Sequence, residues 1–201
     1  ALSQPTVFIP KILLASRSPR RVQLLNQLNI SCESLPADID EAVLPSELPA
    51  DYVMRLAHQK AEACLQNLTT EQKQLAILAA DTTVALDTEI LGKPIDDADA
   101  KAMLRKLSGS QHQVYTAVAV AFAGSIDVVL STTYVEMMVL TEAQIDAYIA
   151  TGEHKDKAGS YGIQGAAGAW IKHIEGSYTG VMGLPIYETA TLLRKHGILI
   201  I

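Results

Sequence analysis

Lys11-Ile12-Leu13-Leu14-Ala15-Ser16-Arg17-Ser18-Pro19-Arg20-Arg21 decides the fold class. Its first five residues form a short apolar run closed by polar turn residues, which reads as a buried strand. Ser16-Arg17-Ser18 breaks the run. Ser18 stands at an N-cap position and Pro19 at a first helical position, and Val22, Leu25 and Leu28 follow at helical spacing. Strand, loop and helix in that order begin an α/β chain, and the remaining sequence continues the alternation.

Residues 50–68 place Val53, Leu56, Ala57, Cys64, Leu65 and Leu68 on one stripe, which predicts a second helix. Leu75 to Ala80 is an apolar run that ends at Asp81. Val84-Ala85-Leu86, a turn at Asp87-Thr88-Glu89, and Ile90-Leu91 follow, so a buried strand feeds a hairpin. A third helix is predicted over about 97–108, stopped by Gly109. Val114 to Phe122 and Val128 to Val139, joined through Ala123-Gly124-Ser125, predict a longer hairpin. Thr141 with Gln144 forms a capping box before a helix that ends near Gly152. The glycine-rich stretch Gly159 to Gly168, a strand over Ala169 to Ile174 and a closing helix from Pro185 to His196, capped by Gly197, complete the chain. Crossovers and hairpins together predict a mixed sheet.

With 201 residues, 49% of them hydrophobic, the chain can bury a sizeable core within one domain. Residues 1–10 are expected to be an N-terminal extension and 11–201 the domain. A formal net charge of −6 and an aromatic content of 5% argue against a nucleic-acid-binding module built on Arg17, Arg20 and Arg21, which would need a basic surface and stacking platforms. Cys32 and Cys64 lack the close spacing of a zinc knuckle or redox pair, as expected of two ordinary thiols in a reducing compartment. Neither a membrane-length apolar run nor an export signal before Lys11 is visible, so a cytoplasmic protein is expected.

Four places carry chemistry. Ser16 to Arg21 puts arginines at the start of a helix, where unpaired N–H groups and fork-shaped guanidinium donors suit phosphate; the alternative is that the arginines point to solvent. Lys60 lies on the apolar stripe of the second helix, and either snorkels to water or directs its charge into a cleft. Arg55, His58 and Gln59 fall on the polar side of that helix. Asp81, leaving a buried strand, needs a cation, a metal or hydrogen-bond donors, unless it caps its own turn through Thr82 or Thr83. In Tyr161-Gly162-Ile163-Gln164-Gly165, glycines flank an amide that can read a base edge, or else form a tight connection.

Together these pieces resemble the Maf family over nearly the whole chain. The matching residues are Ser16 to Arg21, Asp40-Glu41, Lys60, Ala80-Asp81-Thr82, Gly92-Lys93-Pro94, Leu107-Ser108-Gly109, Thr116, the Tyr161 to Gly165 segment and Gly183-Leu184-Pro185. The resemblance implies a single two-lobed α/β domain with a mixed twisted sheet and a central cleft, similar in plan to the inosine triphosphate pyrophosphatases. It also implies release of pyrophosphate from a nucleoside triphosphate with a divalent metal (Mg, Mn or Co). By position, Ser16, Arg20, Arg21, Lys60 and Lys93 are the implied triphosphate-binding set, Glu41 and Asp81 the implied metal-binding acids, and Asp81 the implied proton acceptor.

Pro19 followed directly by Arg20-Arg21, together with Tyr-Gly-Ile-Gln-Gly, resembles the subgroup acting on dTTP and UTP, with Arg20, Thr82 and Gln164 at its specificity positions. Arg17 and Thr83 are less typical of that pattern. Modified pyrimidine nucleotides are further candidate substrates of such a house-cleaning enzyme. The resemblance leaves two alternatives: the 7-methyl-GTP subgroup, and a regulatory partner in septum formation. A homodimer is the family expectation.

Overall fold

The computed structural model describes residues 9–199 and 201, so most of the expected N-terminal extension lies outside the described residues. The elements run β1 (Lys11–Leu14), α1 (Pro19–Gln27), β2 (Ser31–Ser34), α2 (Pro49–Leu65), β3 (Ile77–Leu86), β4 (Glu89–Leu91), α3 (Asp97–Leu107), β5 (Gln111–Phe122), β6 (Ser125–Met137), α4 (Glu142–Thr151), β7 (Ile171–Glu175), α5 (Tyr178–Met182) and α6 (Ile186–Lys195). The strands form one mixed sheet in the order β2-β1-β3-β5-β6-β7, with β4 added to β3. β1 runs parallel to β2 and β3, and every other pairing is antiparallel.

Two elements escape the sequence reading. β2 is polar and mostly exposed, so no apolar alternation marks it, and only its parallel register with β1 makes it a strand. α5 has five residues including Gly180, and is capped by Ser177, whose hydroxyl accepts the Gly180 N–H at 2.9 Å. The strand expected from Ala169 begins at Ile171, after a 3-10 turn over Ala166–Trp170. The Thr141/Gln144 capping box forms as predicted, and Gly152 ends α4 at φ +76°.

The strand expected to end at Asp81 continues to Leu86. β5 pairs with it residue by residue from Ile77↔Ala121 to Ala85↔Gln113, and this long antiparallel partner carries β3 through Asp81-Thr82-Thr83. On the other edge, β1 pairs only with Ile77 and Leu78, and β4 only with Val84 to Leu86. Residues 79–83 are therefore left without a strand partner on that edge, among the described residues. The chain of β1 leaves the sheet at this gap.

Three apolar clusters surround the sheet. Two cover opposite faces of one half: Ile12, Leu14, Leu24, Leu78 and Val120 belong to one, and Leu13, Val53, Ala57, Ala61 and Ala79 to the other. The third, with Val84, Leu104, Val114, Val135 and Ile145, fills the other half. β3 and β5 run through both halves, which gives the two lobes. Asp81, Thr82 and Thr116 occupy the waist between them. Both cysteines are free, and no described helix is long and apolar enough to cross a membrane.

His112 on β5 pins the glycine-rich segment to the sheet. It is fully buried, its Nε2 lies 2.5 Å from the Tyr161 hydroxyl, and its Nδ1 has no partner among the described residues. Burial pushes the imidazole down to about 4. A folded value below the unfolded one means that the contribution is complete above pH 6.5 and is lost as pH falls from 6.5 toward 4. Urea unfolding across that range should show wild type losing roughly 2 to 3 kcal/mol relative to His112→Gln. Parallel pH profiles for the two proteins would contradict this assignment.

Candidate functional site

Where β1 ends, the chain turns through Ser16-Arg17-Ser18 into α1. The buried Ser16 hydroxyl accepts the Ser18 N–H at 3.1 Å and an Arg21 Nη1–H at 3.2 Å. Ser18 takes the N-cap position as predicted, but its side chain makes no cap hydrogen bond. The helix start therefore opens without a side-chain acceptor of its own onto a cleft of about 1100 Å³ at the waist. All nine residues singled out from the sequence line that cleft: Ser16, Arg20 and Arg21 at the helix start, Glu41, Lys60, Asp81 and Thr82 at its centre, and Lys93 and Gln164 on the opposite side.

Alternation along β3 divides the centre into two faces. Asp81 points to the α2 face. Only 8% exposed, it accepts from Lys60 Nζ at 2.9 Å, and the same ammonium lies 3.0 Å from Glu41 Oε1. The Lys60 side chain is directed into the cleft and pairs two carboxylates. Burial pushes the Asp81 carboxyl above its ordinary value; Lys60 and then Arg21 oppose the shift, and Glu41 adds to it.

Glu41 is presented by a loop stapled to α2. The Tyr52 hydroxyl donates to the Glu41 carbonyl at 2.6 Å, and Arg55 grips the Glu47 carboxylate at 2.7 and 2.8 Å and the Ala42 carbonyl at 2.9 Å. Burial, with the charges of Asp81 and Glu41, pushes the Tyr52 phenol up to about 12, so it remains a donor near neutral pH. Sequence reasoning gave Arg55 no role; an acid eight residues upstream is a weak signal for this long-range staple. His58, read as a surface residue, pairs with Glu62, and Arg17 pairs with Asp38 at the exposed rim.

Thr82 points to the α1 face. Arg21 Nη2 donates to Thr82 Oγ1 at 3.3 Å, the Thr82 and Thr116 hydroxyls are 2.8 Å apart, and Thr116 donates to the Gly180 carbonyl at 2.8 Å. Arg21 Nε donates to the Gly183 carbonyl at 2.8 Å and Arg20 Nε to that of Met182 at 3.4 Å. Arg21 thus joins three segments, and its burial holds the guanidinium below its ordinary value, against the pull of Asp81. Lys93 is exposed just past β4, and Gln164 sits exposed on a turn. Glu153, Lys155 and Lys157 also line this side and were not singled out from the sequence; their signal is the charged run just before the glycine-rich stretch.

The family model described as Maf-like protein matches residues 11–196. The chain is 53% identical over 190 residues to the dTTP/UTP pyrophosphatase of Methylobacillus flagellatus, covering 94% of each chain. It is 52% identical to the protein of that name from Chromobacterium violaceum, covering 93% of this chain and 95% of the other, and 50% identical to that from Pasteurella multocida, covering 92% and 95%. Among solved structures, the Staphylococcus aureus Ham1 protein aligns with a TM-score of 0.44 at 14% identity, over 63% of this chain and 71% of the other. The chain belongs to the Maf family.

The relay from Arg21 through Thr82 and Thr116 to Gly180 predicts a cost for a near-isosteric change. Thr116→Val should lower stability in urea by about 1 to 3 kcal/mol, because it strands buried hydrogen-bonding groups while conserving volume. A change within a few tenths of a kcal/mol would mean that the relay holds nothing.

Proposed function

We propose that this chain is a nucleoside triphosphate pyrophosphatase that hydrolyses dTTP and UTP to the monophosphate and pyrophosphate. The observation that carries the reading is the buried Asp81 carboxylate, paired with Glu41 across one ammonium in a cleft flanked by cationic side chains. The names of the relatives support the substrate.

Asp81 and Glu41 are the residues that would hold a divalent cation. They fit one: two hard carboxylate oxygens already lie within 3.0 Å of a single positive centre. Among the described residues no third His, Cys, Asp or Glu joins them, a donor set that suits a magnesium-like ion sharing its shell with substrate phosphates and water. Such an ion, when bound, neutralises phosphate charge and favours a nucleophilic water.

The chain's own groups do the rest. Arg20, Lys60 and Lys93 take the triphosphate oxygens, with Ser16 at the helix start. Arg21 spends three of its five N–H groups on protein oxygens and offers the remainder to phosphate. Asp81 accepts a proton from the water that attacks the α-phosphorus, and pyrophosphate leaves along the cationic wall. Arg20, Thr82 and Gln164 select the base.

Asp81→Asn keeps the shape and removes the basicity, so pyrophosphate release from UTP should fall by roughly two to four orders of magnitude with the fold intact. Near-wild-type turnover in that protein would sink the assignment. Lys60→Ala and Lys93→Ala should each reduce kcat/KM by an amount equivalent to about 1.5 to 3 kcal/mol. Unchanged kinetics in both would remove the triphosphate from this wall.

Gln164→Glu replaces a donor by an acceptor. It should penalise dTTP and UTP by roughly 1 to 3 kcal/mol relative to CTP and GTP. An equal loss across all four nucleotides would show that Gln164 shapes the turn without reading the base.

A further inference from the structure

The wall that carries Gln164 is built by the chain between α4 and β7; its base is anchored where Tyr161 meets His112 and the Gly162 N–H donates to the Tyr148 hydroxyl at 3.3 Å, and one acidic side chain reaches the far side of its turn. After Gly152 the chain doubles back, and Glu153 comes to lie against the turn over residues 162–166. Glu153 Oε2 accepts the Ala166 N–H at 3.1 Å. A Cβ at Gly165 would lie 2.3 Å from that same oxygen, so a side chain there would push the carboxylate off its place beside Ala166. Lys157 completes the tether: its ammonium donates to the Glu153 carbonyl at 2.6 Å, and its stem occupies the space that a Cβ at Gly162 would need. The turn is closed internally by Gly165 N–H to the Gly162 carbonyl at 3.2 Å and Gly168 N–H to that of Gly165 at 3.0 Å.

A segment with three glycines in seven residues has wide backbone freedom, and an amide at its tip discriminates between bases only if its donor and acceptor are fixed in space. We propose that Glu153 is a positioning residue that fixes where Gln164 meets the base, and so sets selectivity among pyrimidine nucleotides. The inference rests on the reading of the cleft as a pyrimidine nucleoside triphosphate site. It separates two properties of the cleft. Asp81 and Lys60 stand on β3 and α2, away from this turn, so loosening the tether should alter recognition and leave the chemical step in place. The bond needs an acceptor oxygen and no charge, so an amide at position 153 should suffice.

Steady-state kinetics with dTTP, UTP and CTP on wild type, Glu153→Ala, Glu153→Gln and Gly165→Ala test this. Glu153→Ala should raise KM for dTTP and UTP about tenfold, leave kcat within about twofold, and lower the UTP-over-CTP ratio of kcat/KM about tenfold, the scale of one lost hydrogen bond. Glu153→Gln should restore the ratio to within about threefold of wild type. Gly165→Ala should follow Glu153→Ala, and it carries the test if the latter does not fold. An unchanged ratio in Glu153→Ala, or a Glu153→Gln protein as impaired as Glu153→Ala, overturns the proposal. A wild-type chain that releases pyrophosphate from none of the three nucleotides overturns the reading of the cleft, and this inference with it.

Discussion

A carboxylate in the middle of a sheet must meet a cation before it loses water, because desolvation otherwise drives it to its neutral form. The contact between Asp81 and Lys60 at 2.9 Å meets that requirement, and the surrounding architecture serves it. α2 packs on β3 and β5 through Ala57, Ala61, Ala79, Ala117 and Ala119, side chains small enough for the helix to lie close to the strands. Lys60 stands between two of those alanines in the sequence, and its ammonium reaches Asp81 on the strand. The loop before α2 then adds Glu41, held by Tyr52 and Arg55, so that one ammonium satisfies two acids.

The opposite face of β3 solves a different problem with the next residue. Thr82 feeds a line of hydroxyls that ends on the Gly180 carbonyl, and Arg21 joins that line to the Ser16 loop and the Gly183 turn. A guanidinium with several donors in a fixed plane can span three segments in this way, where an ammonium could not. Charge handling and wall building therefore meet at consecutive residues, separated by the thickness of the strand.

Much of this was legible as local anomaly. Asp81 stood out because it interrupts an apolar run, Lys60 because it lies on an apolar stripe, and Arg20 and Arg21 because positive charge is out of place in a first helical turn. What stayed hidden depends on partners distant in sequence. β3 continues past Asp81 because β5 lies beside it, β2 exists because β1 supplies its hydrogen bonds, and Glu153 meets the glycine-rich turn because the chain brings its carboxylate against Gly165 and Ala166. Local patterning does not encode such pairings. Ser18 shows the reverse case, in which the right cap position carries a side chain that makes no cap.

The ladders that join the lobes bear on how the molecule can move. β5 and β6 pair without interruption from Gln111↔Glu136 to Phe122↔Ser125, and β3 lies along β5 through the waist. A hinge needs a place where few bonds cross, and here the crossing is made of continuous strands. Folding the lobes toward each other would have to bend β3, β5 and β6 together. The continuous strands thus act as the frame of a calliper, setting the spacing of the two walls from one side of the sheet to the other.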